Sequence, residues 1–162
     1  MQPTAVIQVE GILRKPIGGQ VLDSGRRLYH GLAGTYNVVL VADGTQRAHV
    51  NEWLTMEGFD KHAHVEYYYS GLNDTIWHVI VNHLKVRYGY AVEYAVLTDP
   101  VSATRLLQEG CSTLLVTNAA YALPEWRPDA PTGVKPWEEL VAEIYSQRAL
   151  RAADKRMEDG LK

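Results

Sequence analysis

Short β-branched runs alternate along this chain with segments whose apolar residues recur at helical spacing. Ala5–Val9 reads as a strand, and Asn37–Val41 is a continuous apolar run of the kind expected for a buried parallel strand. His64–Tyr69, Tyr94–Leu97 and Thr113–Val116 complete a set of five. Between them the period changes to that of a helix. Val21–Leu32 fits a helix, and Thr45 can cap a second that carries Val50, Trp53 and Leu54 on one face and stops at Gly58. Asp74 can cap a third with Trp77, Ile80, Val81, Leu84 and Tyr88 in register, closed by Gly89. Pro100 suits the first turn of a fourth, followed by Ala103, Leu106 and Leu107 and ended by Gly110. Pro136 can open a last helix with Trp137, Leu140, Val141, Ile144 and Tyr145 on one face.

The alternation predicts a three-layer, Rossmann-like α/β fold: a five-stranded parallel sheet with helices on both faces, and Ala5–Val9 next to Asn37–Val41 near its centre. Ligands of such sheets bind beyond the carboxyl ends of the strands. That directs attention to Gln8–Gly11, Ala42–Thr45, Tyr69–Asn73, Thr98–Pro100 and Thr117–Tyr121.

Composition narrows the class. With 162 residues, 46% apolar and 22% charged, the chain suits one folded domain, expected over 1–150, with a charged tail over 151–162. The net charge of −3 lacks the basic balance of a nucleic-acid binder, so no nucleic-acid partner is expected. No apolar run is long enough to span a bilayer, and no signal peptide is visible. The single Cys111 suits a reducing cytoplasm.

At the strand ends the residues resemble a known family, the haloacid dehalogenase-like (HAD-like) phosphohydrolases. The likeness is to the small HAD-like proteins of bacteriophages and to the phosphatase half of phage polynucleotide kinases. The family's opening strand ends Asp-x-Asp-Gly-Thr, and the matching stretch here is Gln8-Val9-Glu10-Gly11-Ile12. A β-hairpin flap follows in the family, for which Leu13–Leu22 with Gly18-Gly19 is suited. The family's second motif, a strand ending in Thr or Ser, corresponds to Val38–Val41 ending at Ala42, and Asn51-Glu52-Trp53-Leu54-x-x-x-Gly58 is similar to a helix of the phage members. The fourth motif, Asp-Asp, corresponds to Thr98-Asp99, and His78 lies where the family's lysine is expected. The resemblance covers about residues 4 to 145.

The departures carry the functional expectation. Where the family has its nucleophilic aspartate, Gln8 offers a neutral amide, a poor nucleophile that brings no charge to a hard cation. Glu10 keeps a carboxyl but displaces it by one methylene, and Ala42 has no hydroxyl for phosphate. Asp99 alone survives from the magnesium pair, so only weak magnesium binding by Asp99 and Glu10 is expected, with no other cofactor. The intervals from Gln8 to Ala42 and from Ala42 to His78 leave no room for a cap domain, which would leave the site open to a macromolecule. These positions predict a catalytically degenerate binding module with a protein partner, and the resemblance to the phage members implies that it is phage-encoded and lies in the host cytoplasm. An active metal-dependent hydrolase using Glu10 and Asp99, and a structural or virion subunit, are the alternatives.

Three further features compete for attention. Asp43-Gly44-Thr45 imitates the family's first motif but reads as a turn and helix cap, where Gly44 and Thr45 can still present N–H groups to an anion. His62, His64 and Glu66 alternate, so a strand would set all three on one face, as a weak metal-site candidate. Tyr67, Tyr68, Tyr69, Tyr88 and Tyr90 lack interleaved basic residues and read as packing. Beyond Ser146 the apolar stripe thins, and Arg148, Arg151, Lys155 and Arg156 among acidic residues read as a solvated, fraying helix, with a docking surface as the sharper reading.

Overall fold

The computed structural model describes residues 2–15, 19–69, 76–117 and 136–153, with side chains from 141 onward in the last segment. Five parallel strands, β1 (Thr4–Gln8), β2 (Asn37–Asp43), β3 (His64–Tyr68), β4 (Val92–Leu97) and β5 (Ser112–Leu115), form one sheet in the order β3-β2-β1-β4-β5. β1 pairs with β2 through Ala5–Val38 and Ile7–Leu40, and with β4 through Ala5–Tyr94 and Ile7–Val96. The predicted adjacency of the first two strands holds, and every residue of β1 is buried.

The helices are α1 (Asp23–Ala33), α2 (Arg47–Met56), α3 (Ile76–Tyr88), α4 (Pro100–Gln108) and α5 (Pro136–Ala153). Strand alternation sorts the core into two halves. Val6, Val39, Val41 and Leu97 point to α3 and α4, where they meet Trp77, Ile80, Leu84 and Leu106. Ile7, Val38, Leu40 and Val96 point the other way, to Tyr29 of α1, Val50 and Leu54 of α2, and Phe59. The sheet therefore lies between two helical layers, as the strand–helix rhythm predicts.

α1 approaches the loop after β1 so closely that a Cβ on Gly25 would stand 1.7 Å from the Ile12 carbonyl oxygen, which only glycine allows. That loop turns through Gly11 and continues into a hairpin in which the Lys15 N–H donates to Gln20 O and the Leu22 N–H to Leu13 O. This is the expected flap; residues 16–18 at its tip lie outside the described residues.

Several details differ from the sequence expectation. The cap before α2 is the Asp43 side chain, not Thr45, because a short 3-10 turn over Gly44–Gln46 precedes the helix. Tyr88 and Leu107 are 42% and 57% exposed, since each falls just off the buried stripe of its helix. The Asp74 cap lies outside the described residues. α5 continues to Ala153, and its last turn buries Arg151, which the thinning apolar stripe did not indicate.

Candidate functional site at the strand ends

The chain builds β1, β2 and β3 outward to one side of β1, then adds β4 and β5 on the other. The strand order thus reverses between β1 and β4, and a crevice for ligands is expected at their carboxyl ends. Among the described residues, the polar side chains at this end of β1, β2 and β4 bond to one another. Gln8 Nε2 donates to the Glu10 carbonyl at 2.7 Å and to Thr98 Oγ1 at 3.1 Å, and Gln8 Oε1 accepts from the Thr98 N–H at 3.3 Å. Both ends of the amide are committed to the chain. A carboxylate at this position could not supply the two donated bonds, so Gln8 acts as a clip between β1 and β4.

Glu10 is equally engaged. Its Oε1 accepts from Arg14 Nη2 at 3.0 Å, and both carboxylate oxygens lie 3.3 Å from the Asp43 N–H. Arg14 Nη2 also donates to Gln46 Oε1 at 2.7 Å, and its guanidinium lies over the Trp53 ring. Glu10, Arg14 and Gln46 are all buried. Removing one partner of a buried ion pair leaves an uncompensated charge and is strongly destabilising; beside the pair, Gln46 Nε2 is buried with no hydrogen-bond partner among the described residues.

Asp43 and Asp99 occupy matching places, Asp43 as the last residue of β2 and Asp99 two residues past the end of β4, each at the start of a helical turn. With one oxygen each caps the turn it begins: Asp43 Oδ1 accepts from the Thr45 N–H and hydroxyl at 3.0 and 2.7 Å, and Asp99 Oδ1 from the Val101 N–H at 3.0 Å. With the other oxygen each holds α5. Arg151 Nε donates to Asp43 Oδ2 at 2.9 Å, and the Tyr145 hydroxyl to Asp99 Oδ2 at 3.3 Å, where Ser102 Oγ also donates at 2.7 Å. Tyr145 and Arg151 are six positions apart, about 9 Å of helix rise. β2 and β4 flank β1, so their ends are two strand spacings apart, about 9.6 Å. α5 thus reaches residues at the ends of both strands that flank β1.

Arg151 Nη2 also donates to the Tyr68 hydroxyl at 3.3 Å, and the Arg148 guanidinium lies over the rings of Tyr68 and Tyr145. Burial pushes the Tyr68 phenol above its ordinary range, and the nearby Glu10 charge adds to this against Arg151 and Arg148, so Tyr68 stays neutral. Burial disfavours the Arg151 charge, but Tyr68, Glu10 and Asp43 outweigh it and raise the group further.

The remaining sequence candidates divide. Ala42 turns into the α1/α2 core and faces no crevice. His78 pairs with Glu109, just past the end of α4, away from the crevice network. The Thr45 N–H is committed to Asp43, and Gly44 lies under the Tyr69 ring. The alternating His62, His64 and Glu66 do not converge, because β3 begins at His64. His62 turns to the Tyr29 hydroxyl at 3.3 Å, while His64 pairs with Glu66 at 3.0 Å and stacks with Tyr88 and Tyr90. Among the described residues no group of three or more such side chains is arranged to hold a metal. The tyrosines do meet cations: Arg47 of α2 lies over Tyr67, and Arg87 lies over its sequence neighbour Tyr88. Sequence reasoning missed Arg14, Gln46, Tyr68, Ser102, Tyr145 and Arg151 at the site. Only Ser102 left a trace, three residues after the capping Asp99.

Fold and site together define a doubly wound parallel α/β protein in which the described polar side chains at the strand ends bond largely to one another. No protein-family model matches the chain, and no curated protein matches it in sequence. Solved structures match in fold. One is a chain of the Pnkp1/Rnl/Hen1 complex, 12% identical, with a TM-score of 0.58 over 73% of this chain and 47% of that one. Another, from the Pnkp1/Rnl/Hen1 RNA repair complex, is 13% identical with a TM-score of 0.56 over 72% and 43%. This chain thus spans less than half the length of either. Among the described residues no helix is long and apolar enough to cross a membrane.

Proposed function

We propose that the chain is a HAD-like protein that has lost phosphoryl transfer and acts as a binding module for a protein partner. The observation that carries this reading is the internal use of the polar groups at the crevice. Gln8 clips β1 to β4, Glu10 is paired with Arg14, and Asp43 and Asp99 hold α5. Phosphoryl transfer through a covalent intermediate needs an activated nucleophile and a site for the charged phosphoryl group. A carboxamide tied at both ends, with a second carboxylate locked in an ion pair, supplies neither. The fold likeness to chains of multi-protein complexes supports a protein partner.

The test is turnover of an aryl phosphate, of nucleotides and of 3′-phosphorylated DNA with magnesium present. No activity is expected from the wild-type protein or from Gln8→Asp, which restores one carboxylate and leaves Ala42 and the missing lysine unchanged. Turnover by the wild-type protein that Glu10→Gln or Asp99→Asn abolishes would overturn the reading in favour of a metal-dependent hydrolase. Calorimetry is expected to show no micromolar magnesium site, since magnesium sheds water reluctantly and Glu10 and Asp99 are already partnered.

A further inference from the structure

α5 has an unusual hold on the domain. Among its described side chains only Ile144 and Arg151 are buried, and Val141, Tyr145, Arg148 and Ala152 on the same side are half-buried. Its fixed points are polar: Arg151 on Asp43 and Tyr68, and Tyr145 on Asp99. The groups it covers belong to the body of the domain. Asp43 has no exposure and directs Oδ2 at the guanidinium, while Tyr68, 5% exposed, offers its hydroxyl oxygen to the same group. A guanidinium fits this pair because its Nε and Nη2 donate in different directions from one rigid plane, which a lysine ammonium cannot reproduce.

We propose that the end of the sheet over β1 is a receptor for an arginine-bearing helical segment of a protein partner, and that α5 is its resident, displaceable occupant. The proposal rests on the binding-module reading and names what the module binds. Charge complementarity selects the partner. With the site uncovered Asp43 can hydrate, but a helix that covers it strips that water away, so whatever takes the place of α5 must bring a guanidinium to Asp43. The second anchor sets the rest of the motif: a hydroxyl-bearing aromatic six residues before the arginine, to reach Asp99, and an apolar residue beside it in the place of Ile144. Among the described side chains of α5 only Ile144 is a buried apolar residue, so exchange of this part of the helix gives up few apolar contacts that an incoming helix cannot remake. Displacement is governed by the differential affinity of the two helices for one site.

The test uses the full-length protein and a labelled synthetic peptide with the sequence of residues 141–153. In the wild-type protein α5 competes with the peptide; in Arg151→Gln that competition is weakened. The Arg151→Gln protein is expected to bind the peptide at least tenfold more tightly than wild type does. A peptide with the same Arg151→Gln change is expected to bind that protein at least tenfold more weakly. Asp43→Asn in the receiving protein, which keeps a side-chain oxygen for the cap, should erase the preference between the two peptides. Equal affinity for both peptides, or no binding by the Arg151→Gln protein, overturns the receptor. A wild-type dimer that Arg151→Gln dissolves overturns the foreign partner and makes a second copy the occupant. Failure here in a phosphatase-silent protein leaves the binding-module reading standing, whereas phosphoester turnover ends that reading itself.

Discussion

α3 and α5 are fastened to the same sheet by opposite means. α3 buries Ile76, Trp77, Ile80, Val81 and Leu84 in the core it shares with Val6, Val39 and Leu97. α5 buries one apolar residue and one arginine among its described side chains. Each large apolar side chain buried contributes roughly 1.5–3 kcal/mol, and does so without regard to direction. The Arg151–Asp43 pair is directional, and its attraction is largely offset by the water both charges give up. Apolar anchoring makes α3 part of the body of the domain. Over its described side chains α5 is held mainly by directional polar contacts, which fix its position.

Substitutions can break this contrast at either end. The largest effect is expected from Trp77→Ala, a loss of about 3–5 kcal/mol in global stability, read as a lowered denaturant midpoint for the whole domain. Arg14→Ala should come next, at about 3 kcal/mol. It strands Glu10, which sits on the rigid body and cannot turn to water as a helix can; equilibrium unfolding measures this as well. Arg151→Gln is expected to cost less than about 1 kcal/mol globally, because α5 can lift and let Asp43 hydrate. Its signature is local: amide exchange in 136–153 speeds up while β1 and β4 stay protected. A global loss as large as that of Trp77→Ala would show that α5 belongs to the body after all.

The smallest effect concerns His62, whose pKa burial lowers from 6.5, with His64 acting in the same direction and Asp60 opposing. The unfolded chain then takes up this proton more readily than the folded one. The contribution of His62 is therefore fully present above pH 6.5 and is lost as pH falls from there through the lower folded value. His62→Gln should flatten this part of the stability–pH curve, seen in denaturant midpoints at pH 8 and pH 5.

The same contrast explains how much of the molecule is legible in its sequence. The strand runs at Ala5–Val9 and Asn37–Val41, the stripe of α3 and the stops at Gly58 and Gly110 are local patterns, and each appears where expected. The strand ends at Gln8, Glu10, Thr98 and Asp99 are legible too, because a parallel sheet dictates where its crevice lies. The pairing of those residues is not. Arg151 meets Asp43 across 108 positions of chain, and Gln8 meets Thr98 across 90, so neither contact leaves a periodic trace. A solvent-facing role for Arg148 and Arg151 is reasonable for charges on a thinning stripe, and fails because two carboxylates elsewhere need α5. The triad of His62, His64 and Glu66 fails for a smaller reason: alternation binds residues to one face only inside a strand, and His62 precedes it.

The order of the strands also governs when the molecule can finish. β1 is the first strand made, yet it lies between β2 and β4, so one of its edges waits until the chain has been synthesised past Leu97. Pairing over such separations is slow, because loop closure comes before the contacts that reward it. Until β4 arrives, β1 presents an open edge to any other chain nearby. Arg151, which reaches Asp43, follows all five strands in the chain. A nascent chain passes through a stage in which the sheet end is built and empty, when a helix from another protein could reach it before α5 does.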